Sequence, residues 1–269
     1  MRSESAEKPA PELPPGTRIQ PGDCEIHGAF EQKVFPVLGK ELKSACPECS
    51  RLAREKTEAA ELANKAMELR MAMERKLGAA LIPKRFASKT LDGYIATTAE
   101  QRKALNTCRR YAAEFKQIAE AGRCLLLLGK PGTGKTHLSV AIANEIMARS
   151  SATAVYRTIG SVLQAIRATY DRTSDQSESQ ILSSLISPTL LVLDEIGVSK
   201  EKPSDFELTT LFAIINGRYE QMRPTVIVSN LEASQLPTAM GDRCIDRLRE
   251  GEVIVVPFDW ESQRGKEGF

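Results

Sequence analysis

The sequence predicts an α/β protein in which helices flank a central parallel β-sheet. The first observation is a series of short apolar segments, such as Leu190–Leu193 and Thr225–Ser229, which alternate with helical segments beyond residue 81. The second is a glycine-rich loop, Gly129–Thr136, that lies between an apolar segment and an amphipathic one. Strands buried on both faces have continuous apolar sequences, so this alternation favours a parallel sheet.

The same pattern predicts individual elements beyond residue 81. Helices are expected over residues 101–121 and 135–149, and strands over residues 154–158 and 225–229. Residues 171–180 are a polar stretch for which no helix or strand is predicted.

Length and composition are those of a chain with a substantial core. The chain has 269 residues, of which 42% are hydrophobic, and a net charge of only +2, so charge alone indicates no nucleic-acid partner. Apolar runs such as Leu125–Leu128 are far shorter than the roughly 20 residues of a membrane span. The polar N-terminus carries no signal-like segment. We therefore expect a cytoplasmic protein without membrane association.

The loop Gly129-Lys130-Pro131-Gly132-Thr133-Gly134-Lys135-Thr136 has the spacing of a phosphate-binding loop, or P-loop. Its glycines allow backbone N–H groups to point at phosphates, Lys135 neutralises phosphate charge, and the Thr136 hydroxyl ligates Mg²⁺. The helix that follows adds its positive N-terminal end. A plain glycine-rich turn is the weaker interpretation, because an apolar strand precedes the loop and a helix follows it. The sequence thus predicts binding of ATP with Mg²⁺.

Two carboxylates follow the apolar segment Leu190–Leu193. Acidic residues at the end of a buried parallel strand project over the carboxyl edge of the sheet, where open α/β folds bind ligands. We expect Asp194 to hold the Mg²⁺ shell and Glu195 to orient or activate the attacking water. A solvated acidic turn is the alternative, and the P-loop upstream makes it the less favoured one.

Further polar residues follow the apolar segment Thr225–Ser229. Asn230 is expected to sense the γ-phosphate or to hold the attacking water. Arg243 and Arg247 are four residues apart, hence on one helical face, and arginine pairs with phosphate bidentately. They suit a finger that reaches the ATP of a neighbouring subunit. A turn-forming asparagine and ordinary surface salt bridges remain the alternatives.

Together these motifs resemble the AAA+ ATPases, and more narrowly the DnaC-type helicase loaders of the DnaC/IstB-like family. The resemblance covers about residues 80–269. The segments that carry it are Ile82–Phe86, Leu91–Tyr94, Gly134–Leu138, Leu193–Gly197, Ile215–Glu220, Pro224–Thr225, Ser229–Leu231, Asp246–Leu248 and Phe258–Arg264.

The resemblance implies roles for several of these residues. It implies that Arg247 is the arginine finger, that Arg264 is a second sensor contacting the nucleotide in cis, and that His137 belongs to the nucleotide-binding set. It also implies that the chain binds a replicative DnaB-type hexameric helicase, opens its ring and helps to place it on single-stranded DNA. Self-association into an AAA+ spiral or ring, with weak, regulatory ATP hydrolysis, is implied as well.

Three of the six cysteines and one of the two histidines cluster near the N-terminus. Cys24-x2-His27 and Cys46-x2-Cys49 are two close pairs, 18 residues apart. Such pairs suit tetrahedral Zn²⁺, and four protein ligands leave no open position, which indicates a structural site. Metal would supply the folding energy that so small a segment lacks. This segment departs from the helical N-terminal part of the loaders, which suggests a phage or prophage protein.

We divide the chain into four segments. Residues 1–22, with five prolines, are expected to be a flexible arm. Residues 23–50 form the zinc-binding knot, residues 51–80 a helical linker or docking helix, and residues 81–269 the ATPase domain. The helix is predicted because apolar residues recur at steps of three and four, at Leu62, Ala66, Leu69, Met73 and Leu77.

Two other functions fit parts of the pattern. IstB-like transposition helpers share the ATPase core, although the zinc knot and the Trp260–Arg264 ending favour the loader. A zinc-based DNA-binding adaptor with an inactive ATPase core is less compatible with the full set of ATPase motifs. One set of residues either lines a single-strand groove or forms a solvated helix face, namely Arg157, Arg167, Tyr170 and Arg172.

Overall fold

The computed structural model describes residues 15–37, 40–171, 173–197 and 202–264. Two compact units divide the chain, residues 1–70 and residues 71–269. Residues 1–14, most of the segment expected to be a flexible arm, lie outside the described residues. Within the described part of the chain, no helix is both long and apolar enough to cross a membrane.

The first unit contains a three-stranded antiparallel sheet in the order β1-β2-β3. Its strands are β1 (Arg18–Cys24), β2 (Gly28–Val37) and β3 (Lys40–Lys43). Residues 18–22, expected as part of the arm, are therefore in a strand. Pairing along β2, from Arg18 opposite Val34 to Cys24 opposite Gly28, orders them. Pro21 is compatible with this because β1 is an edge strand.

Helix α1 (Pro47–Ala79) follows the sheet and crosses the boundary of the two units. It begins four residues before the predicted residue 51 because Pro47 suits the first position of a helix. None of its residues is buried. Its last turns belong to the second unit, where Met73 packs against the core and the Lys76 ammonium donates to the Ser150 carbonyl at 2.6 Å.

The second unit contains a five-stranded sheet in the order β5-β6-β7-β4-β8, and every pairing is parallel. Its strands are β4 (Leu125–Gly129), β5 (Ala154–Thr158), β6 (Leu190–Ile196), β7 (Thr225–Ser229) and β8 (Ile254–Phe258). Its helices are α2 (Ala99–Ala113), α3 (Phe115–Glu120), α4 (Lys135–Arg149), α5 (Ile159–Ala168), α6 (Glu178–Ile186), α7 (Asp205–Glu220), α8 (Leu236–Met240) and α9 (Asp242–Glu250).

Helices cover both faces of this sheet. Along β4 the side chains alternate, so that Leu125 and Leu127 enter one apolar cluster while Leu126 and Leu128 enter the other. The first cluster includes residues of α2 and α4, and the second includes residues of α5, α6, α7 and α9. The predicted α/β fold with a flanked parallel sheet is confirmed.

Helices α2 and α6 differ from their predictions. The single helix expected over residues 101–121 is broken at Glu114, whose φ of −93° and ψ of 17° end α2. Helix α6 begins at Glu178, inside the polar stretch of residues 171–180 for which no helix was predicted. Ser177 accepts a hydrogen bond from the Gln180 N–H, and the Gln180 side chain accepts one from the Ser177 N–H, so a capping box starts the helix there.

Candidate nucleotide-binding and zinc-binding sites

The P-loop connects the buried strand β4 to helix α4 at the carboxyl edge of the sheet. Gly129 has a φ of +123°, and a Cβ there would lie 2.5 Å from the Phe258 carbonyl oxygen. Gly134 has a φ of +96°, and a Cβ there would lie 2.5 Å from the Tyr94 ring. Only glycine fits both positions, since each combines a left-handed backbone with a close neighbour.

The Lys135 side chain lies back along the P-loop. Its ammonium group donates to the carbonyl oxygens of Gly129 and Lys130, each at 2.7 Å. Burial, followed by the positive charge of Arg264, lowers the pKa of Lys135 to about 8, although Asp194 opposes this shift. The site therefore concentrates positive charge where anionic phosphates would be bound.

Thr136 and Asp194 meet as a magnesium site requires. The Thr136 hydroxyl donates to Asp194 Oδ2 at 2.8 Å, and the Tyr156 hydroxyl donates to the same oxygen at 2.8 Å. Asp194 is only 3% exposed. Burial and the neighbouring Asp194 carboxylate raise the pKa of Tyr156, so its phenol stays a donor. Sequence reasoning missed Tyr156, because a tyrosine among apolar strand residues is typical of core.

Glu195 lies at an irregularity in β6. The register with β7 shifts between Leu193 and Ile196, and Glu195 has a φ of +63°. Its backbone N–H donates to Asp194 Oδ1 at 2.7 Å. A left-handed conformation at a residue other than glycine costs about 1–3 kcal/mol and occurs often at functional sites. The result is an exposed Glu195 carboxylate directly beside the buried Asp194.

Asn230 follows β7, the strand between β6 and β4. Ser229, the last residue of β7, pairs with Leu128 of β4 and with Ile196 of β6. Asn230 is exposed and thus emerges at the carboxyl edge between the P-loop strand and the strand that carries Asp194. This position is compatible with the predicted contact to the γ-phosphate or the attacking water.

The C-terminal tail packs against the P-loop. The Thr133 carbonyl accepts hydrogen bonds from the Tyr94 hydroxyl at 2.9 Å and from the Trp260 indole at 3.1 Å, and the Gln263 N–H donates to the Gly132 carbonyl at 2.8 Å. A Cβ at Gly132 would lie 3.4 Å from Arg264 Cγ, so Arg264 is beside the loop of its own chain. The segments that contain Tyr94 and Trp260 carry the family resemblance, but no local pattern predicts this role, because it depends on contacts distant in sequence.

His137 lies against Tyr94, which binds the P-loop through the Thr133 carbonyl. Its Nε2 is 2.9 Å from the Thr90 carbonyl oxygen and must donate to it, because a carbonyl can only accept. The ring meets Tyr94 edge-on, with centroids 5.5 Å apart. Burial lowers the pKa of His137, which favours the neutral ring. His137 thus supports Tyr94, and a direct contact with nucleotide stays a prediction.

Arg247 lies at the amino edge of the sheet, where the parallel strands begin, opposite the P-loop. It lines a cavity of about 550 Å³ whose other lining residues include Cys124 and Thr225, at the amino ends of β4 and β7. Because β4 rises about 3.3 Å per residue, roughly 16 Å separate this edge from the P-loop of the same chain. Arg243 is exposed on the same helix, with its guanidinium 5.9 Å from the centre of the Phe212 ring. The structure therefore brings Arg264, but not Arg247, to the P-loop.

The four predicted zinc ligands converge within the first unit. Their ligand atoms all lie within 4.8 Å of one another. The Nδ1 atom of His27 is 3.8, 3.7 and 3.3 Å from the sulfurs of Cys24, Cys46 and Cys49, and the Cys24 and Cys49 sulfurs are 3.5 Å apart. A tetrahedral zinc with bonds of about 2.3 Å to sulfur and 2.0 Å to nitrogen would place its ligands roughly 3.5–3.8 Å apart. The donor set fits zinc.

Local structure explains how the zinc ligands meet. Cys24 ends β1, His27 lies in the turn before β2, and Cys46 and Cys49 flank the start of α1. Hydrogen bonds from the backbone at Ile26 and His27 lower the pKa of Cys24 to about 6, which favours the thiolate that a metal needs. The proximity of the Cys24 sulfur raises the pKa of Cys49 to about 11.

The residues considered for single-strand binding make local contacts. The Arg167 guanidinium lies 5.4 Å from the centre of the Phe206 ring, and the Tyr170 hydroxyl donates to Glu178 at 3.4 Å. Both side chains are exposed. Arg172 lies outside the described residues. A DNA groove at this place stays a prediction.

Comparison with known proteins gives the same family as the motifs. The chain matches the family model described as IstB-like ATP binding protein over residues 50–267. It is 33% identical over 201 residues to the replicative helicase loader DnaC of Buchnera aphidicola subsp. Acyrthosiphon pisum, covering 75% of this chain and 78% of that protein. It is 35% identical over 178 residues to the replicative helicase loader DnaC of Escherichia coli K12, covering 66% and 69%.

Solved structures agree on the fold. A crystal structure of the DnaC helicase loader superposes with a TM-score of 0.58 at 24% identity and covers 66% of this chain and 100% of that one. AMPPCP-bound DnaA from Aquifex aeolicus gives a TM-score of 0.52 at 20% identity, covering 65% and 51%. The family model spans most of the chain, and the sequence relatives exceed 30% identity over most of their own length. The chain therefore belongs to the IstB/DnaC family of AAA+ ATP-binding proteins.

Proposed function

We propose that this chain is an ATP-dependent loader that binds a DnaB-type replicative helicase and helps to place it on single-stranded DNA when replication begins. The observation that carries the proposal is the distribution of ATPase residues over two opposite edges of the sheet. The P-loop, Asp194 and Arg264 lie at the carboxyl edge, and Arg247 lies at the amino edge. Relatives named replicative helicase loaders align with 75% and 66% of this chain at 33% and 35% identity. Such a role belongs in the bacterial cytoplasm.

The carboxyl-edge residues would bind ATP and Mg²⁺. The P-loop amides and Lys135 would hold the phosphates, while Thr136 and Asp194 would hold Mg²⁺, which neutralises charge on the transferred phosphoryl group. The exposed Glu195 carboxylate would orient or activate water, with Asn230 next to the γ-phosphate. Arg264 would report the nucleotide within its own chain.

Arg247, at the amino edge, would contact the ATP bound by a second copy of the chain. Arg247 lies too far from its own P-loop to reach ATP bound there, so a contact with phosphate requires the nucleotide of a neighbouring chain. Self-association into a spiral or ring on the helicase would provide that contact. Hydrolysis would then be slow and regulatory, because it depends on assembly, and ATP would act as a switch between chains.

The zinc site would have a structural role. Three thiolates and one imidazole would fill the coordination sphere of zinc, so that no position stays open for a substrate. Zinc would join the hairpin of β1 and β2 to the start of α1, and this segment would serve with α1 as the docking arm for the helicase. Phage or prophage origin stays a prediction from the sequence.

A loading assay tests the proposal. The protein is mixed with the cognate DnaB-type helicase with and without ATP, and complex formation and helicase activity on single-stranded DNA coated with binding protein are measured. We expect an ATP-responsive complex and stimulated unwinding, both impaired by Lys135→Ala. Stimulation of transposase strand transfer without helicase binding would instead favour the transposition helper. Full activity of Lys135→Ala would favour a DNA-binding adaptor.

A further inference from the structure

The Arg247 side chain is held by neighbours of two kinds. Its Nε donates to the Asn216 side-chain oxygen at 3.1 Å, and its guanidinium carbon lies 5.0 Å from the centre of the Tyr219 ring. Its Nη1 is also 3.2 Å from Glu250 and 3.9 Å from Asp246. Those carboxylates are 56% and 78% exposed, so water screens both ion pairs. The orientation of the Arg247 guanidinium therefore depends mainly on the Asn216 amide and the Tyr219 ring.

The amide of Asn216 is itself oriented. Its nitrogen donates to Glu220 Oε1 at 2.7 Å, and a carboxylate can accept only from the nitrogen side of an amide. The Asn216 oxygen is consequently turned to Arg247. Tyr219 is held too, since it shares a hydrogen bond with Glu250 that raises the pKa of its phenol.

Both neighbours lie on a rigid element. Asn216 and Tyr219 belong to α7, on either side of Arg218, which is 1% exposed and binds the surrounding backbone. Helix α7 also packs Leu211, Ile214 and Ile215 into the core. A side chain held from such a helix loses little further freedom when it meets a ligand, which is the condition for preorganised binding of phosphate.

We propose that Asn216 and Tyr219 are positioning residues that orient Arg247 toward the ATP of a neighbouring copy of this chain. The inference rests on the proposed function, in which Arg247 acts between chains. Asn216 engages Nε, on the inner side of the guanidinium, and Tyr219 covers one face. Arginine carries five N–H donors, and Nε and Nη1 use one each, toward Asn216 and the exposed Glu250. The remaining outer N–H groups suit the bidentate phosphate contact that arginine makes. Neither positioning residue touches the reacting atoms.

A mixing experiment separates the two sides of the contact. An acceptor chain, Arg247→Ala, retains its P-loop but lacks the finger. A donor chain, Lys135→Ala, lacks nucleotide binding but retains the finger. Each alone is expected to hydrolyse ATP slowly in the presence of helicase, and their mixture to recover hydrolysis at donor–acceptor contacts.

Adding Asn216→Ala or Tyr219→Leu to the donor chain should reduce the recovered rate about tenfold or more, because a small misplacement of a catalytic group costs up to about a hundredfold. The same changes added to the acceptor chain should leave the recovered rate and its affinity for a fluorescent ATP analogue unchanged. Tyr219→Phe in the donor should retain most of the rate, since the ring remains. Arg249→Ala, an exposed change on α9, serves as the donor control.

The possible outcomes test the two hypotheses separately. Full recovery with the Asn216→Ala and Tyr219→Leu donors would overturn the positioning role while leaving the finger intact. Equal losses on donor and acceptor sides would also overturn it, because they would indicate general destabilisation. Wild-type hydrolysis by the Arg247→Ala chain alone would instead refute the finger, and with it the inter-chain part of the proposed function.

Discussion

Replacing the buried Arg218 by methionine should strongly destabilise the second unit. Arg218 is 1% exposed, and the five N–H groups of its guanidinium donate to six acceptors, so one N–H is shared between two of them. These bonds join α7 to the end of α6, to the loop before β6 and to the start of β7. The acceptors are Thr225 Oγ1 at 2.9 Å and the carbonyl oxygens of Leu185 at 2.8 Å, Ile186 at 3.1 Å, Pro188 at 2.9 Å, Thr189 at 3.3 Å and Pro224 at 2.6 Å.

The magnitude follows from these contacts. Methionine replaces much of the volume but leaves the acceptors without this donor, and each buried acceptor left unpaired costs about 1–3 kcal/mol. One gain opposes this loss: burial lowers the pKa of Arg218 to about 9, so the charged group is costly to bury and methionine is not. Removing one partner from a buried charged network typically costs about 3–5 kcal/mol, and we expect a loss of free energy of unfolding in that range.

Urea-induced unfolding measures this loss. Trp260, the single tryptophan, lies against the P-loop and reports on the second unit by its fluorescence. Arg249→Met, an exposed change on α9, is the matched control and should alter the free energy of unfolding by less than about 0.5 kcal/mol. A loss below about 1 kcal/mol for Arg218→Met would refute the reasoning, because each lost hydrogen bond alone is expected to contribute about that much.

Three further predictions concern the sites. ATP affinity should be nearly constant below pH 8 and should fall by up to about tenfold per pH unit above it. The reason is that Lys135 loses its proton near pH 8 in the nucleotide-free protein, whereas a bound phosphate keeps the Lys135 ammonium protonated. A flat affinity from about pH 7 to 9.5 in fluorescent-nucleotide titrations would contradict this. Purified protein should contain one zinc per chain by elemental analysis, and Cys49→Ser should lose it without loss of ATP binding, whereas a zinc-free wild type would disprove the site. Gly134→Ala should greatly weaken ATP binding, since a Cβ would meet the Tyr94 ring at 2.5 Å with φ at +96°, while Gly160→Ala, with nothing within 4 Å, should leave affinity unchanged; equal affinities would contradict the steric argument.

Features that depend on local spacing are predictable without knowledge of the fold. Helix α4 and strands β5 and β7 begin and end at the predicted residues. The glycine-rich loop marks the start of α4, and short apolar runs mark the two strands. The P-loop followed from its own pattern, and so did the acidic pair after the apolar part of β6. The pairing of two cysteine-containing motifs also predicted the zinc ligands that the structure brings together.

Features that depend on contacts between distant segments are visible only in the folded chain. Strand order placed Asn230 between the P-loop and Asp194, and long-range hydrogen bonds brought Tyr156 to Asp194 and Trp260 to the P-loop. The pairing of β1 with β2 ordered residues whose proline content suggested a flexible arm. Most importantly, the fold placed Arg247 and its own P-loop at opposite edges of one sheet. Periodicity shows which face of a helix a residue occupies, but the edge it reaches depends on how the helix packs, which local sequence does not encode.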